Sequence, residues 1–473
     1  MKYQVEKYQE ELIALNEAIW TAAETSFEEF VSVKAMTQLL KKYGFQIEEG
    51  IGGIETAFKA TYGSGTPAIG LLAEYDALDG LSQQGGCFEK RPREETTKGH
   101  GCGHNLLGTG VVAAALDLKE YLDANPEAGT VILYGCPAEE SGGGKTLMAG
   151  AGVFDEIDVA LTWHPCTINA SMGCRMLSTC QAAFHFHGVS SHAANAPQRG
   201  RSALDAVELM NVGVNYLREH MEMSDRVHYA ILNAGGTAPN VIPSEASVIH
   251  MVRSETNRRT KELYQRVCDI ARGAALMTGT TVDIEFRGGC SNVVPNQVLG
   301  ELAYDIMVGL GAPKYTKEEE AYVKRFHEIV GEKAVLEDDG AVPHYDMELR
   351  RALVKTHPMA DFVLPYKMVS DVQTASSDMG DVSQVVPLIQ IQTACFTQGS
   401  QAHSWLWVSQ GVSTYAMKGT LYAGQVMADM GKALFEDHEL IENAKAEYRS
   451  RMEGVPYECP IPEEWRGKIK LRK

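Results

Sequence analysis

The 473-residue sequence is short of positive charge. Forty-three lysines and arginines stand against 62 aspartates and glutamates, a formal net charge of −19 at pH 7 with histidine neutral. Nucleic acid and anionic membranes both recruit basic surfaces, so neither is expected as a partner. A small anionic substrate is not excluded, because a few placed arginines can bind a carboxylate inside an acidic protein. Long apolar runs are also missing. No stretch reads as an uninterrupted membrane span. The opening MKYQVEKYQEELIALNEAIW carries charge throughout and lacks the apolar centre of a secretory signal. Ten cysteines, spread from Cys87 to Cys459, do not make the dense framework of a small secreted scaffold. The expectation is a cytoplasmic protein in a reducing compartment.

A phosphate loop is missing by one residue. SGGGKT at Ser141–Thr146 ends like a Walker A motif, but the glycine that should open the motif is replaced by Glu139. The adjacent carboxylates Glu139 and Glu140 would repel nucleotide phosphate.

What remains is an ordinary globular composition, 44% hydrophobic and 22% charged, in a chain longer than one core usually serves. Helical apolar spacing runs through Leu12, Ile13, Ala18 and Trp20, and again through Phe30, Met36, Leu39 and Leu40. TPAIGLLAEYDAL, TVILYGC (Thr130–Cys136) and DVALTWH (Asp158–His164) read as buried strands, with alanine- and leucine-rich helices between them, the pattern of an α/β sheet. From Cys180 the pattern changes to two strand–helix–strand halves. These are CQAAFHFH, a helix over 202–218 and HYAILN, then SEASVIHMV, a helix over 257–277 and TTVDIEF. After Pro295 helices return, then the strand-like PLIQIQTACF and a last helix around Leu421–Leu434. The expected architecture is a two-domain α/β protein: a catalytic domain formed by 1–179 and 294–473, and an inserted α+β lid or dimerisation domain over 180–293.

Three short stretches carry chemistry. In GHGCGHNLLG, one glycine separates Cys102 from His104, so thiolate and imidazole can converge on a metal. His100 and Cys102 share that spacing, and a structural zinc or a buried thiol fits it equally. PAEE places Glu139 and Glu140 directly after a strand, where one carboxylate can hold a metal and the other work on water. Adjacent carboxylates are more often a solvated surface. TWHP places His164 at a strand end, where a lone histidine is usually structural.

Taken in order, LLAEYDALDGLSQQ, GHGCGHNLLG, YGCPAEE, LTWHP, SHAANAPQRGRSALDA, GGTAPNVIP, SSDMGDVS and GSQAHSW span nearly the whole chain. In this order they resemble the M20 metallopeptidase family, in its aminoacylase-like branch. The resemblance implies two divalent ions, manganese or zinc, held by Cys102, His104, Glu140, His164 and His403, with Cys102 between them. It implies Glu139 as general base and Asp76 as the carboxylate that orients a metal-binding histidine. From the inserted domain it implies His192, reaching a site across the interface between two subunits, and Asn240 and Arg253, suited to the substrate backbone or carboxylate. The activity implied is hydrolysis of a linear amide in an N-aroyl amino acid, p-aminobenzoyl-glutamate first. The alternative is a broader N-acyl amino acid hydrolase or dipeptidase. A homodimer, or pairing with a homologous A subunit, is also implied. The chain departs from the branch at Asn105, where aspartate is common, at Asp79, where proline is common, and at Asp381, the counterpart of a late acidic residue.

Overall fold

The computed structural model describes residues 3–141, 143–338, 347–369 and 372–469. Two compact units divide the chain. The first comprises Met1–Arg175, Val294–Gln373 and Val382–Tyr457; the second comprises Met176–Val293, Thr374–Asp381 and Glu458–Lys473. Thr374–Asp381 and Glu458–Lys473, expected in the surrounding domain, group with the second unit. Long-range polar contacts attach them to the second unit: Ser291 donates its N–H and Oγ–H to Asp381 at 3.0 and 2.7 Å, and Lys261 pairs with Glu458 at 2.6 Å. Proximity along the chain cannot reveal such contacts.

The first unit is built on a seven-stranded mixed sheet. Its order is Gln46–Glu49, Phe58–Gly63, Thr130–Gly135, Ala68–Ala73, Val159–Cys166, Leu388–Ala394 and Ala170–Ser171. The central pairings, from Thr130–Gly135 through Leu388–Ala394, are parallel; the outer ones are antiparallel. Every residue of AIGLLA and TVILYG is buried. A parallel strand covered on both faces needs a continuous apolar run, which is why these segments are legible without alternation. Helices His104–Ala124 and Thr414–Glu436 pack together in the core, so closely that a Cβ on Gly424 would lie 2.8 Å from that of Ala113.

The expected last helix extends over Thr414–Glu436, and two further helices follow it, His438–Met452 and Glu463–Ile469. Asp437 caps the first of these by accepting from the Glu439 N–H. That helix buries only Ile441 and Ala444, too few apolar positions to produce a readable period.

The second unit has the two expected halves. Strands Ser178–His187, Arg226–Asn233, Glu245–Ser254 and Thr281–Cys290 form an antiparallel sheet in the order Thr281–Cys290, Ser178–His187, Glu245–Ser254, Arg226–Asn233. Helices Ala203–Leu217 and Asn257–Thr278 cover one face and supply its core with Val207, Met210, Leu263 and Val267. Ser202 and Thr256 start these helices by accepting backbone N–H groups, and Gly279, at φ +64°, ends the second.

Candidate metal centre

The parallel strands deliver their carboxyl-terminal ends to one place in the first unit, where α/β sheets characteristically build sites. Asp76 follows the strand Ala68–Ala73, Glu139 and Glu140 follow Thr130–Gly135, and His164 lies near the end of Val159–Cys166. His104 is the first residue of its helix, preceded by Gly103 at φ +82°. A Cβ on Gly103 would lie 2.7 Å from Pro165 Cγ and 2.9 Å from Phe396, so this close approach requires glycine. Trp163, fully buried, donates its indole N–H to the Leu107 carbonyl at 2.9 Å and fixes the strand of His164 against the helix of His104.

Seven of the residues singled out from the sequence meet here. Donor atoms of Cys102, His104 and His164 lie within 4.8 Å of one another, as do those of Cys102, Glu140 and His403, and those of His104, Glu139 and Glu140. Asp76 completes the set from behind. Its Oδ1 accepts from His104 Nδ1–H at 2.9 Å, and its Oδ2 accepts from the Glu140 backbone N–H at 3.0 Å. With Nδ1 engaged by an acceptor, His104 keeps Nε2 for coordination. His164 is turned in the same way: Nδ1–H donates to the Pro165 carbonyl at 2.8 Å, and Nε2 faces the Cys102 sulfur at 3.4 Å. His403, in the left-handed region at φ +53°, is tied by its backbone N–H to the Gly101 carbonyl at 2.9 Å and brings Nε2 within 3.5 Å of Glu140 Oε1. His100, which shares Cys102's spacing, turns instead to the Ile19 carbonyl at 3.0 Å.

The electrostatics fit a cation. Nε2 of His104 and Oε1 of Glu140 are buried without a well-directed hydrogen bond; besides the Cys102 thiol, their polar neighbours are Glu74 Oε2, 3.2 Å from the first, and His403 Nε2, 3.5 Å from the second. Buried polar atoms left this way ordinarily answer to an ion, water or ligand. Burial, reinforced by the Glu140 carboxylate, pushes the Cys102 thiol far above its usual range. Burial, with Asp76 nearby, also raises the Glu140 carboxyl, and burial together with His104 lowers His164 to about 4. Sulfur, imidazole and carboxylate in one cluster form a donor set suited to divalent transition metals.

The Peptidase family M20/M25/M40 model matches residues 70–469. This chain belongs to the M20 family. It is 42% identical over 447 residues to the B subunit of the p-aminobenzoyl-glutamate hydrolase of Escherichia coli (strain K12), covering 94% of this chain and 93% of that one. The Xaa-Arg dipeptidase of Mus musculus is 35% identical over 309 residues, 62% of this chain and 67% of that one. A dinuclear metal-binding M20 peptidase from Bacillus subtilis shares the fold, with a TM-score of 0.55 at 15% identity, over 90% of this chain and 99% of that one.

Two residues beside this cluster are not singled out by the sequence. Glu74 brings Oε2 within 3.2 Å of His104 Nε2, while its Oε1 accepts from the buried ammonium of Lys145 at 2.8 Å. The available signal was alternation: Glu74 stands two residues before Asp76, on the same side of an extended chain. Lys145 is the lysine of SGGGKT, and it is fully buried; Gly142 of that motif lies outside the described residues.

The departures from the branch pattern have local explanations. The neutral amide of Asn105 donates to Asn16 Oδ1 at 2.8 Å and to the Gly411 carbonyl at 3.0 Å, an N-terminal tie within the core. Asp79 accepts from the Thr97 hydroxyl at 2.7 Å. Asp381 holds Ser291 in the second unit.

His192, Asn240 and Arg253 belong to the second unit. His192 Nδ1 accepts from the N–H groups of Ala194 and Asn195, both at 3.2 Å, which leaves Nε2–H as the ring donor. The Asn240 carbonyl accepts from Ala193 N–H at 3.0 Å, so these two residues share one loop junction. Arg253 donates to the Thr374 carbonyl at 3.2 Å and the Ser376 hydroxyl at 2.9 Å. Among the described residues, no helix is long and apolar enough to cross a membrane.

Proposed function

We propose that this M20 hydrolase cleaves the amide of p-aminobenzoyl-glutamate, adding water to release p-aminobenzoate and glutamate. The observation that carries this reading is the convergence of Cys102, His104, Glu139, Glu140, His164 and His403 at the strand ends. The near full-length similarity to a hydrolase of that name supports the choice of substrate.

Cys102, His104, Glu140, His164 and His403 would hold two divalent ions, manganese or zinc, with Cys102 common to two of the donor groups. Such ions supply Lewis acidity, which lowers the pKa of a coordinated water and stabilises negative charge on the carbonyl oxygen. Glu139 takes the proton from the attacking water and returns it to the departing nitrogen. Asp76 keeps His104 oriented and Glu140 in place. In the second unit, the lid and dimerisation domain under this reading, His192 Nε2–H donates to the developing oxyanion of a neighbouring chain. Asn240 and Arg253 receive the backbone and carboxylate of the amino acid.

Exposed apolar side chains on the second unit support self-association. The strand Arg226–Asn233 forms one edge of its sheet and exposes Tyr229, Ile231 and Leu232; the helix Ala203–Leu217 exposes Leu209, Val212 and Tyr216. An edge strand with apolar side chains is a ready pairing surface. A homodimer, or a pairing with a homologous A subunit, would use it. No disulfide joins the cysteines of the described residues, in keeping with the cytoplasm.

Similarity to a dipeptidase favours one second reading, a broader N-acyl amino acid hydrolase or dipeptidase. A substrate panel on the purified protein separates the two. Preference for p-aminobenzoyl-glutamate over N-acetyl amino acids and arginine-terminated dipeptides supports the first, and the reverse order supports the second.

A further inference from the structure

We infer that Glu29 is a positioning residue for the Glu139–Glu140 pair, holding the loop that carries them through the backbone of Ala138. The role rests on the hydrolytic reading above, with Glu139 as base.

Glu29 stands at the start of the helix Phe30–Lys42 and is fully buried. Its Oε1 accepts two backbone N–H groups at 2.9 Å, one from Phe27 and one from Ala138. Both donors are non-glycine residues in the left-handed region, Phe27 at φ +64° and Ala138 at φ +61°. L-residues enter that region at an energetic cost and stay there when surrounding contacts over-determine them. One buried carboxylate therefore secures two unfavourable backbone conformations, and the second immediately precedes Glu139. On the other side of Glu139, the Glu140 N–H ends on Asp76 Oδ2 at 3.0 Å. The base is held between two main-chain anchors, each a buried carboxylate from a different part of the chain.

Burial, with Asp76 nearby, pushes the Glu29 carboxyl up to about 8. The two hydrogen bonds need only an acceptor at Oε1, which the ionised carboxylate, the neutral acid and a glutamine all offer.

That requirement sets the test, since Glu29→Gln keeps the acceptor and the reach while Glu29→Asp keeps the carboxylate and withdraws it by one methylene. Four quantities are measured on the metal-loaded protein: kcat and KM for p-aminobenzoyl-glutamate, metal content, and hydrogen exchange of the peptide containing Ala138. The expected result for E29D is a kcat at least about tenfold lower, the scale of leaving one buried N–H without its acceptor, with KM and metal content unchanged and faster exchange at that peptide. E29Q should stay within about threefold of the parent, with parental exchange, because its neutral acceptor replaces the carboxylate at similar geometry. Parental turnover and exchange in E29D, or a fall in E29Q as deep as that in E29D, would overturn the proposal. The exchange readout stands apart from the hydrolytic reading: if E139Q keeps parental turnover, the base is misassigned, while faster exchange in E29D alone still upholds the hold of Glu29 on the loop.

Discussion

Nδ1 of His104 lies 2.9 Å from Oδ1 of Asp76, and the other oxygen of that carboxylate receives the Glu140 N–H at 3.0 Å. One buried side chain thus orients two proposed metal donors, and both contacts require an acceptor. Burial works against the Asp76 carboxylate, but His104 outweighs it and keeps the pKa below its ordinary value. Asp76→Asn offers one acceptor and one donor, so either His104 or Glu140 must face an N–H. Loss of such an outer partner typically costs about tenfold to a hundredfold in metal affinity or activity. Chelator competition should show a loss of that size for D76N; parental affinity would remove Asp76 from the account.

Glu139→Gln keeps the shape of the side chain and removes the base. Turnover should fall roughly a hundredfold to ten-thousandfold, the usual contribution of a positioned proton-transfer group. Metal content and melting temperature should remain near those of the parent. Comparable turnover, with contaminating parental enzyme excluded, would assign the base elsewhere.

His192 presents an Nε2–H donor because its Nδ1 already accepts two backbone N–H groups. If that donor serves a neighbouring chain, mixing H192A with E139Q creates hybrid dimers in which one site has both residues intact. Partial activity should return on exchange of chains, although each parent variant is impaired alone. No recovery after exchange has been verified by mass would contradict the shared site and leave the local chemistry in place.

The second unit carries its own pH dependence. His250 is buried between Phe184 and Tyr229, with Nε2 3.1 Å from Asn211 Oδ1, and burial together with Arg218 lowers its pKa to about 4. Its folded pKa lies below the unfolded value, so protonation favours the unfolded chain. Its contribution is complete above about pH 6.5, the unfolded histidine value, and is lost as pH falls toward the folded value. Thermal unfolding across that window should show a steeper loss for the parent than for His250→Gln. Parallel curves would show that His250 titrates alike in both states.

The fold was largely legible because its central strands are continuous apolar runs and its second unit alternates strand and helix with capped boundaries. The late helix His438–Met452 was hidden by its near absence of buried apolar positions. Cys102, His104, Glu140 and His164 stood out because strand ends and a helix start carry them in short motifs. Glu74 was visible only as a same-side neighbour of Asp76. Glu29 gave no signal at all, since its partner is a backbone N–H 109 residues away, and residue type does not report such a contact.

Under the proposed chemistry, the donors around Cys102 hold two ions on which amide hydrolysis depends. The most direct measurement is turnover of p-aminobenzoyl-glutamate by metal-depleted protein as manganese, or separately zinc, is titrated back, with bound metal counted at each point. No turnover is expected without metal, and the rise should saturate at two ions per chain. Full turnover by protein shown to be metal-free would contradict that chemistry.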